Sequence, residues 1–98
     1  MKIYKIQADP RVKLDLKEAT LFLKSRRKGL DVKFLNDYKN CLITLKTNPF
    51  FEVRYNNVRC MPLHVFKYMI HFNVDEANNI VLINAVISTY LDPNNSWL

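Results

Sequence analysis

Residues 66–74 read Phe-Lys-Tyr-Met-Ile-His-Phe-Asn-Val, and their alternation decides the fold. Phe66, Tyr68, Ile70, Phe72 and Val74 fall on one side of an extended strand, and Lys67, Met69, His71 and Asn73 on the other. One side is expected to be core and the other an open face. After the polar turn Asp75 to Asn79, Ile80 to Ile87 is apolar at nearly every position, as expected of a central strand. Upstream, Val53 to Tyr55 and Val58 to Leu63 flank Asn56-Asn57, a pair able to take the positive φ of a tight hairpin turn. Pro62 limits how far that strand can pair.

Further upstream the period lengthens from two to 3.6. Val12, Leu16, Ala19 and Leu23 recur at four, three and four, with Phe22 beside them. Asp9-Pro10 supplies a capping carboxylate and a proline at the first helical position, where a missing amide hydrogen costs nothing. Gly29, the single glycine, follows Arg26-Arg27-Lys28, whose cations suit a helix end. Phe34, Tyr38, Cys41 and Leu45 mark a second helix, which Thr47-Asn48-Pro49 stops. So short a link predicts an antiparallel helical hairpin. Ile3, Tyr4 and Ile6 suit a short first strand. The predicted order is β-α-α-β-β-β-β: an α+β fold whose mainly antiparallel four-strand run packs on the hairpin.

At 98 residues the chain is one domain, 1–98, with one core. Residues 1–40 carry 11 basic and 5 acidic groups, and residues 41–98 carry 4 of each, so the whole surplus of +6 lies in the first part. Such a field attracts nucleic acid, acidic proteins or anionic surfaces. Cys41 and Cys60 form no CxxC pair and read as reduced cytoplasmic thiols, and no apolar run suits a membrane span.

Little chemistry is signalled by motif. Cys41, Cys60, His64 and His71 match no zinc spacing, so no metal is expected, and one glycine cannot build a phosphate loop. No cofactor is implied. Cleavage of RNA through its 2′-hydroxyl needs a base, an acid and a cation for the phosphorane. His64, His71, Tyr68 and Tyr90 could move protons, and Arg54 and Arg59 could supply charge. His71 is best placed, on the open side beside Lys67 and Met69, where the competing reading is a solvated strand histidine.

Several phrases in this order resemble the RelE/ParE toxins of bacterial toxin-antitoxin pairs, the ParE branch most. They are the helical hairpin ending in "LKTNPF", the "VRCMPL" strand, the "FKYMIHFNVDEANNIVLINAVIST" hairpin and a closing "LDPNNSW". The resemblance implies the toxin of a type II module, neutralised as a hetero-oligomer by a cognate antitoxin whose C-terminal segment wraps it. RelE-like members cleave messenger RNA in the ribosome, while characterised ParE-like members inhibit DNA gyrase without hydrolysis. Where RelE-like enzymes carry an arginine after the strand tyrosine, this chain has Met69. Near the last strand's end, where they place another, it reads Ser88-Thr89-Tyr90-Leu91-Asp92.

The expectation is therefore a gyrase-binding toxin, not an enzyme, with Arg59, Tyr90, Leu91 and Trp97 at the target. Arg26, Arg27, Lys28, Met69 and His71 are expected at the antitoxin. The alternative is a ribosome-dependent mRNA endonuclease using His71, Arg59 and Tyr90. A plain nucleic-acid-binding module is a third reading.

Overall fold

In a computed structural model, which describes residues 2–89, the chain forms a five-stranded mixed sheet with a helical hairpin on one face. The elements are β1 (Lys5–Ala8), α1 (Pro10–Arg26), α2 (Leu30–Thr47), β2 (Val53–Tyr55), β3 (Val58–Pro62), β4 (Tyr68–Asp75) and β5 (Ile80–Ser88). Strand order is β1-β5-β4-β3-β2. The last four strands are antiparallel neighbours, as expected, and β1 adds to β5 in parallel.

Local chemistry accounts for the boundaries. The Asp9 carboxylate accepts from the Arg11 amide at 2.9 Å and caps α1, with Pro10 in its first turn. Gly29, at φ 92°, makes the turn into α2. Asn56 and Asn57 both take positive φ between β2 and β3.

Val12, Ala19 and Leu23 of α1 and Phe34, Tyr38, Cys41 and Leu45 of α2 are buried against Ile70, Phe72, Val81, Ile83 and Val86. Each large side chain so enclosed contributes roughly 1.5–3 kcal/mol through removal from water. Phe34 lies edge-on to both Phe66 and Tyr68, tying α2 to the start of β4. β1 ends opposite Ile83, and beyond it the Val86 amide donates to Asp15 at 3.0 Å, so α1 takes over from a strand as partner to this edge.

Two features were not visible in the sequence. The register of β4 against β5 shifts between His71 and Phe72, which face Ala85 and Ile83 and leave Asn84 as an extra residue. Its side-chain amide donates to Asn73 on β4. The segment between β3 and β4 is fastened by one side chain: Asp37 of α2 accepts from the amides of His64, Val65 and Phe66 at 3.0, 2.8 and 3.0 Å. Those three bonds satisfy a carboxylate that would be costly to bury alone.

The alternation along 66–74 holds, with one correction. His71 does point away from the helices, but it is 1% exposed and not on an open surface. Val58, Cys60 and Ala85 on the same side are buried with it, so this face is covered at its centre.

Candidate functional site

His71 stands at the middle of the sheet, paired across β3 with Cys60 and across β5 with Ala85. Its Nδ1 lies 2.9 Å from the Tyr55 hydroxyl and 3.6 Å from the Cys60 sulfur. Tyr55 comes from β2 and its ring is tilted against the imidazole at a centroid distance of 5.9 Å. Tyrosine, histidine and cysteine are thus assembled from three adjacent strands.

Electrostatics keep this trio uncharged. Burial lowers the His71 pKa below its usual 6.5, with Arg11 acting in the same direction and Asp15 against it. Burial raises the Cys60 thiol, partly offset by Arg54, and raises the Tyr55 phenol. A cysteine nucleophile needs the thiolate, which an adjacent imidazolium would stabilise. Shifts of these signs favour neutral thiol and neutral imidazole instead, an arrangement that holds three strands together.

The cation that the nuclease alternative needs beside His71 is elsewhere. Arg59 pairs with Phe72, one residue along β4, so its side chain leaves the sheet on the opposite face. There its guanidinium donates to the Phe51 carbonyl at 2.6 Å and lies 5.3 Å from the centre of the Phe50 ring. Arg59 and His71 therefore do not meet on one surface. Tyr90, Leu91 and Trp97 lie outside the described residues.

Exposed features are found along α1 and at the helical turn, among other places. A groove of about 450 Å³ runs between α1 and the far half of β5, lined by Arg11, Glu18, Phe22, Tyr68, Val86 and Ile87 among others. Leu14, Leu21 and Phe22 of α1 are each more than half exposed. Arg26, Arg27 and Lys28 are all exposed at the turn, with the Arg26 guanidinium 5.6 Å from the Phe22 ring. Met69 is half-buried on the sheet side shared with His71. The basic turn was legible as a charge run. The apolar flank of α1 was not, because Leu14 and Leu21 fall off its core stripe.

Among the described residues, Asp37, Cys41 and His64 bring three metal-ligating atoms within 4.8 Å of one another. Burial first, and then the Asp37 charge, push the Cys41 thiol up to about 11 against a backbone hydrogen bond from His64. No spacing rule would find this group, since its members come from α2 and a loop brought to it by folding. Among the described residues no helix is long and apolar enough to cross a membrane.

Comparison with known proteins places this geometry in a fold. No family model and no curated sequence matches the chain. Among solved structures, a chain of the chromosomal ParDE toxin-antitoxin system from P. aeruginosa superposes with a TM-score of 0.74 at 13% identity, covering 88% of this chain and 96% of that one. A free-state double arginine-to-alanine variant of the E. coli toxin RelE superposes with a TM-score of 0.57 at 15% identity, covering 95% and 90%. The fold is that of the RelE/ParE toxins.

Proposed function

We propose that this protein is the toxin of a type II toxin-antitoxin module, that it acts by binding DNA gyrase, and that a cognate antitoxin holds it inactive. The likeness in fold to a ParDE chain and to RelE supports the toxin reading. Binding is favoured over RNA hydrolysis by one observation: Arg59 and His71 project from opposite faces of the sheet. An acid, a base and a cation must reach one phosphate together to cleave it. A histidine that is 1% exposed is closed off from a bound RNA.

Exposure and charge support the antitoxin surface. Arg26, Arg27 and Lys28 attract an acidic antitoxin segment, and the groove between α1 and β5 takes its apolar side chains. Met69 contributes at the margin of the sheet, while His71 supports that face from within. Arg59 and the 90–98 segment, with Tyr90, Leu91 and Trp97, are assigned to the target.

Induced expression in a bacterial host tests the proposal. Growth arrest with loss of plasmid supercoiling, and with messenger RNA intact, is the expected outcome. Codon-phased cleavage of ribosome-bound messenger RNA with unchanged supercoiling would replace it with the nuclease reading.

A further inference from the structure

We infer that Asp37, Cys41 and His64 form a binding site for a thiophilic divalent cation, with zinc as the best chemical fit. Asp37 and Cys41 lie four residues apart on α2, so both point from one face of the helix towards the segment between β3 and β4. His64 belongs to that segment. Carboxylate oxygen, cysteine sulfur and imidazole nitrogen, all within 4.8 Å of one another, make a mixed donor set suited to zinc and poorly suited to magnesium or calcium.

Asp37 is already oriented for the task. Its Oδ2 accepts from two amides, Val65 and Phe66, while Oδ1 accepts only from His64. A carboxylate has about four acceptor positions, so Oδ1 retains one. It lies 3.9 Å from His64 Nδ1. Two ligands at about 2.0–2.1 Å from a tetrahedral ion stand roughly 3.3 Å apart, so the pair must close by about 0.6 Å. Rotation of His64, whose side chain is 55% exposed, can provide that movement. The amides holding the carboxylate act as supporting contacts to a metal ligand.

The same exposure gives the ion a way in, because Asp37 and Cys41 are buried and His64 is the surface member. Three protein ligands leave the fourth position to water or to a partner's side chain. On binding, the cysteine sulfur forms its bond to the metal and releases its proton to solvent. The ion would then join α2 to the loop through the metal as well as through Asp37, resisting unfolding by an amount that grows with the logarithm of the free ion concentration over its dissociation constant.

Cobalt(II) titration of the reduced full-length chain tests the site, because thiolate ligation to cobalt gives a near-ultraviolet charge-transfer band. The expected result is such a band at one equivalent, displaced by zinc, retained in Cys60→Ala and absent in Cys41→Ala. His64→Ala, an exposed change that leaves the core intact, should weaken cobalt binding at least tenfold. Absence of a thiolate band in cobalt excess would overturn the site. So would a band that survives Cys41→Ala but is lost in Cys60→Ala, or one indifferent to His64→Ala.

Discussion

The Tyr55 hydroxyl lies 2.9 Å from Nδ1 of His71, joining the edge strand β2 to the middle of the sheet across β3. Because His71 is buried and its pKa is lowered, this bond is made to a neutral imidazole. It makes the histidine part of the protein's interior and removes it from the surface available to a substrate.

That bond predicts a pH effect of definite sign. His71 binds its proton less readily folded than unfolded, so its contribution to stability is complete above the unfolded pKa of about 6.5. Stability should fall as pH drops from there towards the lowered folded value. Urea unfolding between pH 7.5 and 5 should show this loss, and His71→Gln should flatten it. Tyr55→Phe should cost about 1–2 kcal/mol at pH 7.5 with little change in the denaturant slope.

Asp37→Ala should be the more damaging change. It leaves the amides of His64, Val65 and Phe66 without their shared acceptor. A loss of about 3 kcal/mol or more is expected from bonds to a buried carboxylate. Guanidinium unfolding measures the total, and hydrogen exchange should show residues 64–66 deprotected first.

Gly29→Ala should destabilise by about 1 kcal/mol through backbone strain alone, since Gly29 has φ 92° and an added Cβ meets nothing within 4 Å. Gly29→Asn should cost less, because asparagine tolerates positive φ. Thermal unfolding of the two variants separates backbone strain from steric clash.

What the sequence reveals depends on how local the cause is. Asp9-Pro10, the Phe34-Tyr38-Cys41-Leu45 stripe and Asn56-Asn57 act within a turn or two of chain, and each appears where periodicity and capping put it. The parity of 66–74 is equally local, and it puts His71 on the side opposite Ile70 and Phe72. Whether that side is covered depends on other strands, and Tyr55 is 16 residues away. Asp37 reaches amides 27 to 29 residues downstream, beyond any local pattern. Arg59 was legible as a cation, but its separation from His71 follows from the β3–β4 register. The shift at Asn84 breaks strict alternation in β5, which an almost wholly apolar run conceals.

Binding to gyrase, the proposed mode of action, is tested most directly by inhibition of supercoiling by purified bacterial gyrase. The intact protein should inhibit, and a chain truncated after Thr89 should not. Arg59→Ala should inhibit less, once circular dichroism confirms that loss of its bond to Phe51 leaves it folded. Full supercoiling activity at several-fold molar excess of folded protein would contradict the claim and make ribosome-bound messenger RNA the next target.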